Sequence, residues 1–289
     1  MVHITHSVAV GAICTEVINP IKNFRLAIAA AGLTPPTEII DDGVIHRFST
    51  NGKPTHKHGW YMLHSDGIAA GAFGDWREGF TQNWCSKADT AMTEAERQVH
   101  RERVKTMQRQ REEDLAQLQQ LAAADALKRW TAATPCAQHD YLTRKGIKPN
   151  GVKIEGDKLL IPMRDTAGMV HSLQTITLDG IKMFMSGGRV KGCYFGIGKP
   201  KGVLIVCEGF ATGASIHECT GHAVAVAFTA GNLETVAVTL RTKYPALKII
   251  IAADDDRQTP GNPGMSKAIA AAHASAGALA VPIFKEATA

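Results

Sequence analysis

Four apolar runs decide the fold: GVLIVCEG (202–209), HAVAVAF (222–228), LKIIIAADDD (247–256) and ALAVPIF (278–284). Between them lie segments with helical spacing, Ala211–Cys219, Leu233–Lys243 and one near Ser266–Ala276. Strands that are apolar throughout, rather than alternating, are buried on both faces, and their alternation with helices makes the sheet parallel. In such a sheet ligands bind beyond the carboxyl ends of the strands. Two acidic clusters stand there, because Glu208 directly follows LIVC while Asp254, Asp255 and Asp256 follow KIIIAA. Carboxylates gathered at one edge repel one another unless a cation neutralises them, and hard oxygen donors suit Mg²⁺ or Mn²⁺. Taken singly, DDD also reads as a solvated turn and Glu208 as an acid at a helix start; their joint position at strand ends is what points to a metal.

Upstream of this module, KLLIPMRD, TAGMVHSLQTIT, LDGIKMFMS and GGRVKGCYFGIG read as short strands, with turns at Asp165–Gly168 and Leu178–Gly180. Residues 93–130 contain no Gly or Pro, mix both charge signs and place Thr93 and Glu96 in capping-box spacing. They predict one long helix, solvated between Arg97 and Asp114 where apolar residues are sparse, and packed only towards its C-terminal end. Residues 1–86 predict a small, mostly β domain with one helix near Ile21–Ala31. The fold expected is therefore α/β, or α+β overall, in four parts: 1–86, a helical connector 87–134, a β-rich module 135–200 and a parallel α/β domain 201–289.

Composition limits the rest. With 289 residues, 45% hydrophobic and 20% charged, the chain is neither disordered nor fibrous. No run approaches about 18 apolar residues, and the first residues show no basic cluster ahead of an apolar stretch, so a cytoplasmic protein without a membrane partner is expected. Six cysteines at 14, 85, 136, 193, 207 and 219 form no CxxC pair, against a disulfide framework or a four-thiolate zinc ribbon. His56, His58, His64 and Cys85 are too irregularly spaced for a zinc site, and no zinc is expected. The net charge of +5 is uneven: residues 141–200 hold ten Lys or Arg against four Asp or Glu, an excess of +6, which implies an anionic partner. GGRVKG and YFGIGKPKG do not open a helix in a βαβ unit, and GxxxxGK[ST] does not occur. Trp60, Tyr61, Trp76 and Trp84 suit either base stacking or the core of a small β domain, with packing the stronger expectation.

VLIVCEGFATGASI, AVAFTAGNL and IIIAADDDRQTPGNPGMSKAIAAA together resemble the Toprim domain of bacterial-type DNA primases, and YLTRKGI, LLIPMRDTAGMVHSLQ, KMFMSGGR and YFGIG resemble the strip preceding it. Residues 1–86 resemble, more loosely, the N-terminal domain found with Toprim in primase-like proteins of plasmids, phages and integrated elements. The resemblance implies a nucleotidyltransferase that makes short RNA primers on single-stranded DNA from nucleoside triphosphates. Glu208, Asp254 and Asp256 would be its metal ligands, whereas Asp255 points the opposite way in an extended segment. Lys182, Arg189 and Lys191 would meet the triphosphate or template, and Arg144 and Lys145 the nucleic-acid backbone; Lys267 would face or cover the metal edge. Without GxxxxGK[ST], a helicase would be a separate chain. Two departures stand out: Thr212 replaces an acid common four residues beyond the glutamate, and the Cys-rich ribbon is absent. A Toprim nuclease or a non-catalytic nucleic-acid-binding accessory protein remain the alternatives.

Overall fold

In the computed structural model, residues 19–52, 57–76, 78–87, 91–255 and 262–282 are described, and they divide between two compact units, Met1–Glu113 and Asp114–Ala289. Asp256, one of the expected metal ligands, and His56 lie outside the described residues.

In the first unit, α1 (Pro20–Ala30) starts on an Asn19 cap with proline at its first position, where a missing N–H costs nothing. The strands β1 (His46–Phe48), β2 (Gly59–His64), β3 (Ala70–Asp75) and β4 (Phe80–Cys85) form an antiparallel sheet in chain order. Phe24 and Ile28 of α1 close one face of it over Phe48, Tyr61, Leu63 and Phe73. The long helix α2 (Glu94–Ala132) begins with the expected capping box: Thr93 Oγ1 accepts from the Glu96 N–H at 3.3 Å, and the Thr93 N–H donates back to Glu96 Oε2 at 2.7 Å.

The expectation of a solvated helix between Arg97 and Asp114 is corrected here. Val104, Met107 and Arg111 share a face at helical spacing, Met107 is buried, and the Arg111 guanidinium lies 4.9 Å from the ring centre of buried Trp60. Arg103 donates to the Asp66 carboxylate and to the Ile68 carbonyl. Long cationic side chains cover apolar surface with their stems, so a helix poor in aliphatic residues still packs. Among the described residues no helix is long and apolar enough to cross a membrane.

The second unit holds two sheets. The strands β5 (Thr134–Pro135), β6 (Lys153–Glu155), β7 (Lys158–Arg164), β8 (Val170–Ile176) and β9 (Lys182–Phe184) form an antiparallel meander, with α3 (Asp140–Lys145) between the first two. Next come β10 (Phe195–Ile197), β11 (Val203–Cys207), α4 (Phe210–Thr220), β12 (Ala223–Val226), α5 (Leu233–Lys243), β13 (Lys248–Ala252), α6 (Pro263–Ala274) and β14 (Ala278–Ala280). Their strands order as β10-β12-β11-β13-β14, with β11 to β14 parallel as the apolar runs predict and β10 antiparallel at the edge. YFGIG thus leaves the meander and completes the parallel sheet.

One core lies between the sheets, where Leu159, Ile161 and Ile176 meet Cys207, Phe210, Ala214 and Val226. A second lies under α5 and α6, with Val206, Ile251, Val236, Leu240 and Ala268. Helix α4 sits close to its strands because Gly213 has no side chain: a Cβ there would fall 2.7 Å from Val226 Cγ2 and 3.1 Å from Cys207 Sγ.

Candidate active site

Strands β11 and β13 pair in parallel with Val206 opposite Ile251, so Glu208 lies two residues beyond that rung and Asp254 three. Both carboxylates therefore leave the sheet at its carboxyl edge, from neighbouring strands about 4.8 Å apart. Their convergence registers on the thiol between them and the core. Burial pushes the Cys207 pKa up, and the negative charges of Asp254 and then Glu208 push it further. Cys207 is fully buried and held as a thiol, so it serves as packing and not as a nucleophile. Asp255 Oδ1 accepts from Asn262 Nδ2 at 2.8 Å, and Asn262 caps α6, so this carboxylate is engaged with the start of the next helix. Two carboxylates at one edge are the donors a hard divalent cation takes. Among the described residues no three His, Cys, Asp or Glu side chains gather into a metal-holding group.

The backbone leaving β12 is fixed against the same edge. The Ala227 N–H donates to the Cys207 carbonyl and the Phe228 N–H to the Glu208 carbonyl, each at 2.8 Å. Phe228 is held at φ +70°, a conformation a bulky residue adopts only where its surroundings impose it. Four residues on, Asn232 is buried and uses its whole amide: Nδ2 donates to the carbonyls of Val190 (3.1 Å), Cys193 (2.9 Å) and Ala227 (2.9 Å), and Oδ1 accepts from the Gly192 N–H at 2.8 Å. The loop carrying Arg189 and Lys191 is thereby fastened to the end of β12. Sequence reading passes over Asn232, since its partners are main-chain groups, three of them some forty residues earlier, which leave no mark in residue types.

The expected cationic residues divide into two kinds. Lys182, Lys191 and Lys145 are exposed. Arg189 is half-buried beside Asp165, at 3.5 Å, and Asp165 also bonds His171 Nε2 at 2.7 Å. Burial raises the Asp165 pKa, yet the hydrogen bonds from His171 and from the Met169 and Ala167 N–H groups outweigh it and hold the carboxyl below its ordinary range. Arg144, in the last turn of α3, donates to the Leu178 carbonyl and steadies the turn into β9. Lys267 is exposed on α6. The Gly187-Gly188 turn is a packing requirement, because a Cβ on Gly188 would meet Ser172 Oγ at 2.1 Å. Phe184 of β9 stands edge-on to Phe228, with ring centres 6.3 Å apart, and so brings the Lys182 strand up to the carboxylate edge.

Residues 203–289 match the Toprim domain family. Over 92% of its length the chain is similar to two proteins from Escherichia coli, both DNA primase TraC, at 36% and 35% identity. It spans 27% of the first and 20% of the second, about a quarter of the length of these relatives or less. Among solved structures, the primase fragment of the bacteriophage T7 primase-helicase protein aligns with 54% of this chain and 68% of its own, at 16% identity and a TM-score of 0.41.

Proposed function

We propose that this chain, a Toprim protein similar along nearly its whole length to part of DNA primase TraC, is a primase-type nucleotidyltransferase that joins nucleoside triphosphates into short RNA on single-stranded DNA. The observation that carries the reading is the approach of Glu208 and Asp254 at the carboxyl edge of the parallel sheet, with the Lys182 strand brought to that edge through Phe184 and Phe228. The carboxylates fit Mg²⁺ or Mn²⁺ as hard oxygen donors, with Asp256 the third ligand expected from sequence. Bound there, the ion supplies charge neutralisation and orientation for an in-line displacement at phosphorus.

The chain's own residues do the rest. Lys182 and Lys191 draw in and hold the triphosphate or the template phosphates, and Lys145 extends the positive surface; Arg144 combines a backbone contact with its turn-holding role. Arg189, neutralised in part by Asp165, fixes the loop and lends its remaining charge to phosphate. Asn232 keeps this loop at a constant place relative to the carboxylates, so that positioning and not chemistry is its task. The four sequence parts, 1–86, 87–134, 135–200 and 201–289, on this reading separate substrate capture in 135–200 from metal chemistry in 201–289. The setting proposed is the cytoplasm, on a mobile element, beside a separate helicase.

Incorporation of labelled ribonucleotides on single-stranded DNA, with Mg²⁺ or Mn²⁺, tests it. Oligomers that vanish in Asp254→Asn support the reading; degradation of the template would make the site a nuclease, and binding with neither would make the chain an accessory protein.

A further inference from the structure

Strand β9 is the open edge of the meander, and its residues are assigned to faces by their partners. Phe184 pairs with Gln174 and Lys182 with Ile176, and directly opposed residues share a face. Ile176 belongs to the core between the two sheets, so this is the face turned towards the parallel sheet. Along β7 and β8 that face is closed, yet Lys182 and Phe184 are exposed, Phe184 by 41%. The gap between the sheets therefore opens at β9. Phe184 meets Phe228 at 82°, an edge contact that leaves ring area bare, and the Phe228 N–H is bonded to the Glu208 carbonyl. Phe228 thus links the Phe184 ring to the main chain of Glu208.

A second observation is independent of the first. Gln174, opposite Phe184 on this face, is only 4% exposed, and among the described residues its amide has no hydrogen-bond partner. Neither Oε1 nor Nε2 is fully buried, so the little surface that Gln174 keeps includes its amide, which is open to a hydrogen-bonding ligand in the gap.

We infer that Phe184 and Gln174 form a nucleobase subsite beside the carboxylate edge: a base stacks on the bare ring of Phe184, and the Gln174 amide hydrogen-bonds its polar edge. Lys182, two residues from Phe184 on the same face, meets the phosphate of that nucleotide. The base belongs to a free nucleotide or to the template strand. The assignment deepens the polymerase reading and rests on it only for what the bound base is used for.

Phe184→Trp places a reporter at the site, with the native tryptophans subtracted by the same additions to the unsubstituted protein. ATP, inorganic tripolyphosphate, a single-stranded oligodeoxynucleotide and its abasic counterpart are added in turn. Quenching by ATP assigns the subsite to a free nucleotide, and quenching by the base-bearing oligomer assigns it to the template. No quenching, or equal quenching by tripolyphosphate or the abasic strand, overturns it. This readout needs no turnover, so a chain that makes no primers can still show the subsite. Conversely, a chain that makes primers with an unchanged nucleotide or template KM in Phe184→Ala keeps its polymerase reading and loses this one; the expected KM rise is about tenfold. Gln174→Met separates binding from folding. Removing an amide that no protein group pairs should leave the unfolding temperature nearly unchanged while weakening nucleobase binding. Lower stability with unaltered binding would make Gln174 structural and defeat its assignment.

Discussion

Asn232→Ala strands four main-chain groups, the carbonyls of Val190, Cys193 and Ala227 and the N–H of Gly192. Each buried group left unpaired is costly, and the sum at one site should reach about 3 kcal/mol, readable by urea denaturation. A loss below about 1 kcal/mol would mean that water takes over the clamp. Asn232→Asp should also destabilise, because a carboxylate has no N–H to share among the three carbonyls and would repel them. At the carboxylate edge the direction reverses. Asp254→Asn relieves repulsion with Glu208, so thermal stability should hold or rise while Mn²⁺ affinity by calorimetry falls and polymerisation drops by orders of magnitude. Glu208 and Asp254 could be read in advance because each ends an uninterrupted apolar run, and a parallel strand delivers its next residues to a known edge. Asn232 could not, since a side chain that works on backbone has no partner residue type to look for. The pairing of Arg189 with Asp165 was hidden for a related reason: a turn and a β-bulge between Met163 and Arg164 set that encounter, not spacing.

Helix α2 carries a pH-sensitive start. The Lys87 ammonium first, and then the Thr93 N–H and hydroxyl, hold the Glu96 carboxyl down from 4.5 to about 2. A carboxyl with a depressed folded pKa contributes stability that is complete above about pH 4.5 and fades as pH falls towards 2. An NMR titration of the Glu96 carboxyl should therefore show its midpoint well below that of an ordinary glutamate, and amide exchange in the first turn should quicken across the same window. Thr93→Ala should cost about 1 kcal/mol through the lost cap. The capping box was legible because both partners lie on one turn, whereas the packing of Met107 and Arg111 was not: one methionine among charges gives no apolar stripe, and stacking of a guanidinium on Trp60 depends on where the sheet's indole lies.

Across the molecule, the +6 excess of residues 141–200 is smaller in effect than in count. Lys153 and Arg164 both stack on Trp130, Arg189 faces Asp165 and Arg144 is bonded to a carbonyl, so part of the charge serves folding. Binding to single-stranded DNA should still weaken steeply with salt, and Lys182→Ala and Lys191→Ala should each flatten the log–log slope by about 0.7, measured by anisotropy in rising KCl. An unchanged slope would direct these lysines to another partner. The antiparallel strand Phe195–Ile197 has a consequence for anyone who cuts the chain. The family match begins at Val203, eight residues after the start of that strand, so a fragment trimmed to the match would bare the Ala223–Val226 rim, a row of open donors and acceptors on an apolar Ala-Val-Ala-Val segment. Such a rim is a template for other chains. The trimmed piece should precipitate or self-associate where one that begins at Asp114, and so keeps both the edge strand and the meander that closes the core between the sheets, stays dispersed, and the boundary seen by homology would then be a seam through the middle of a physical unit.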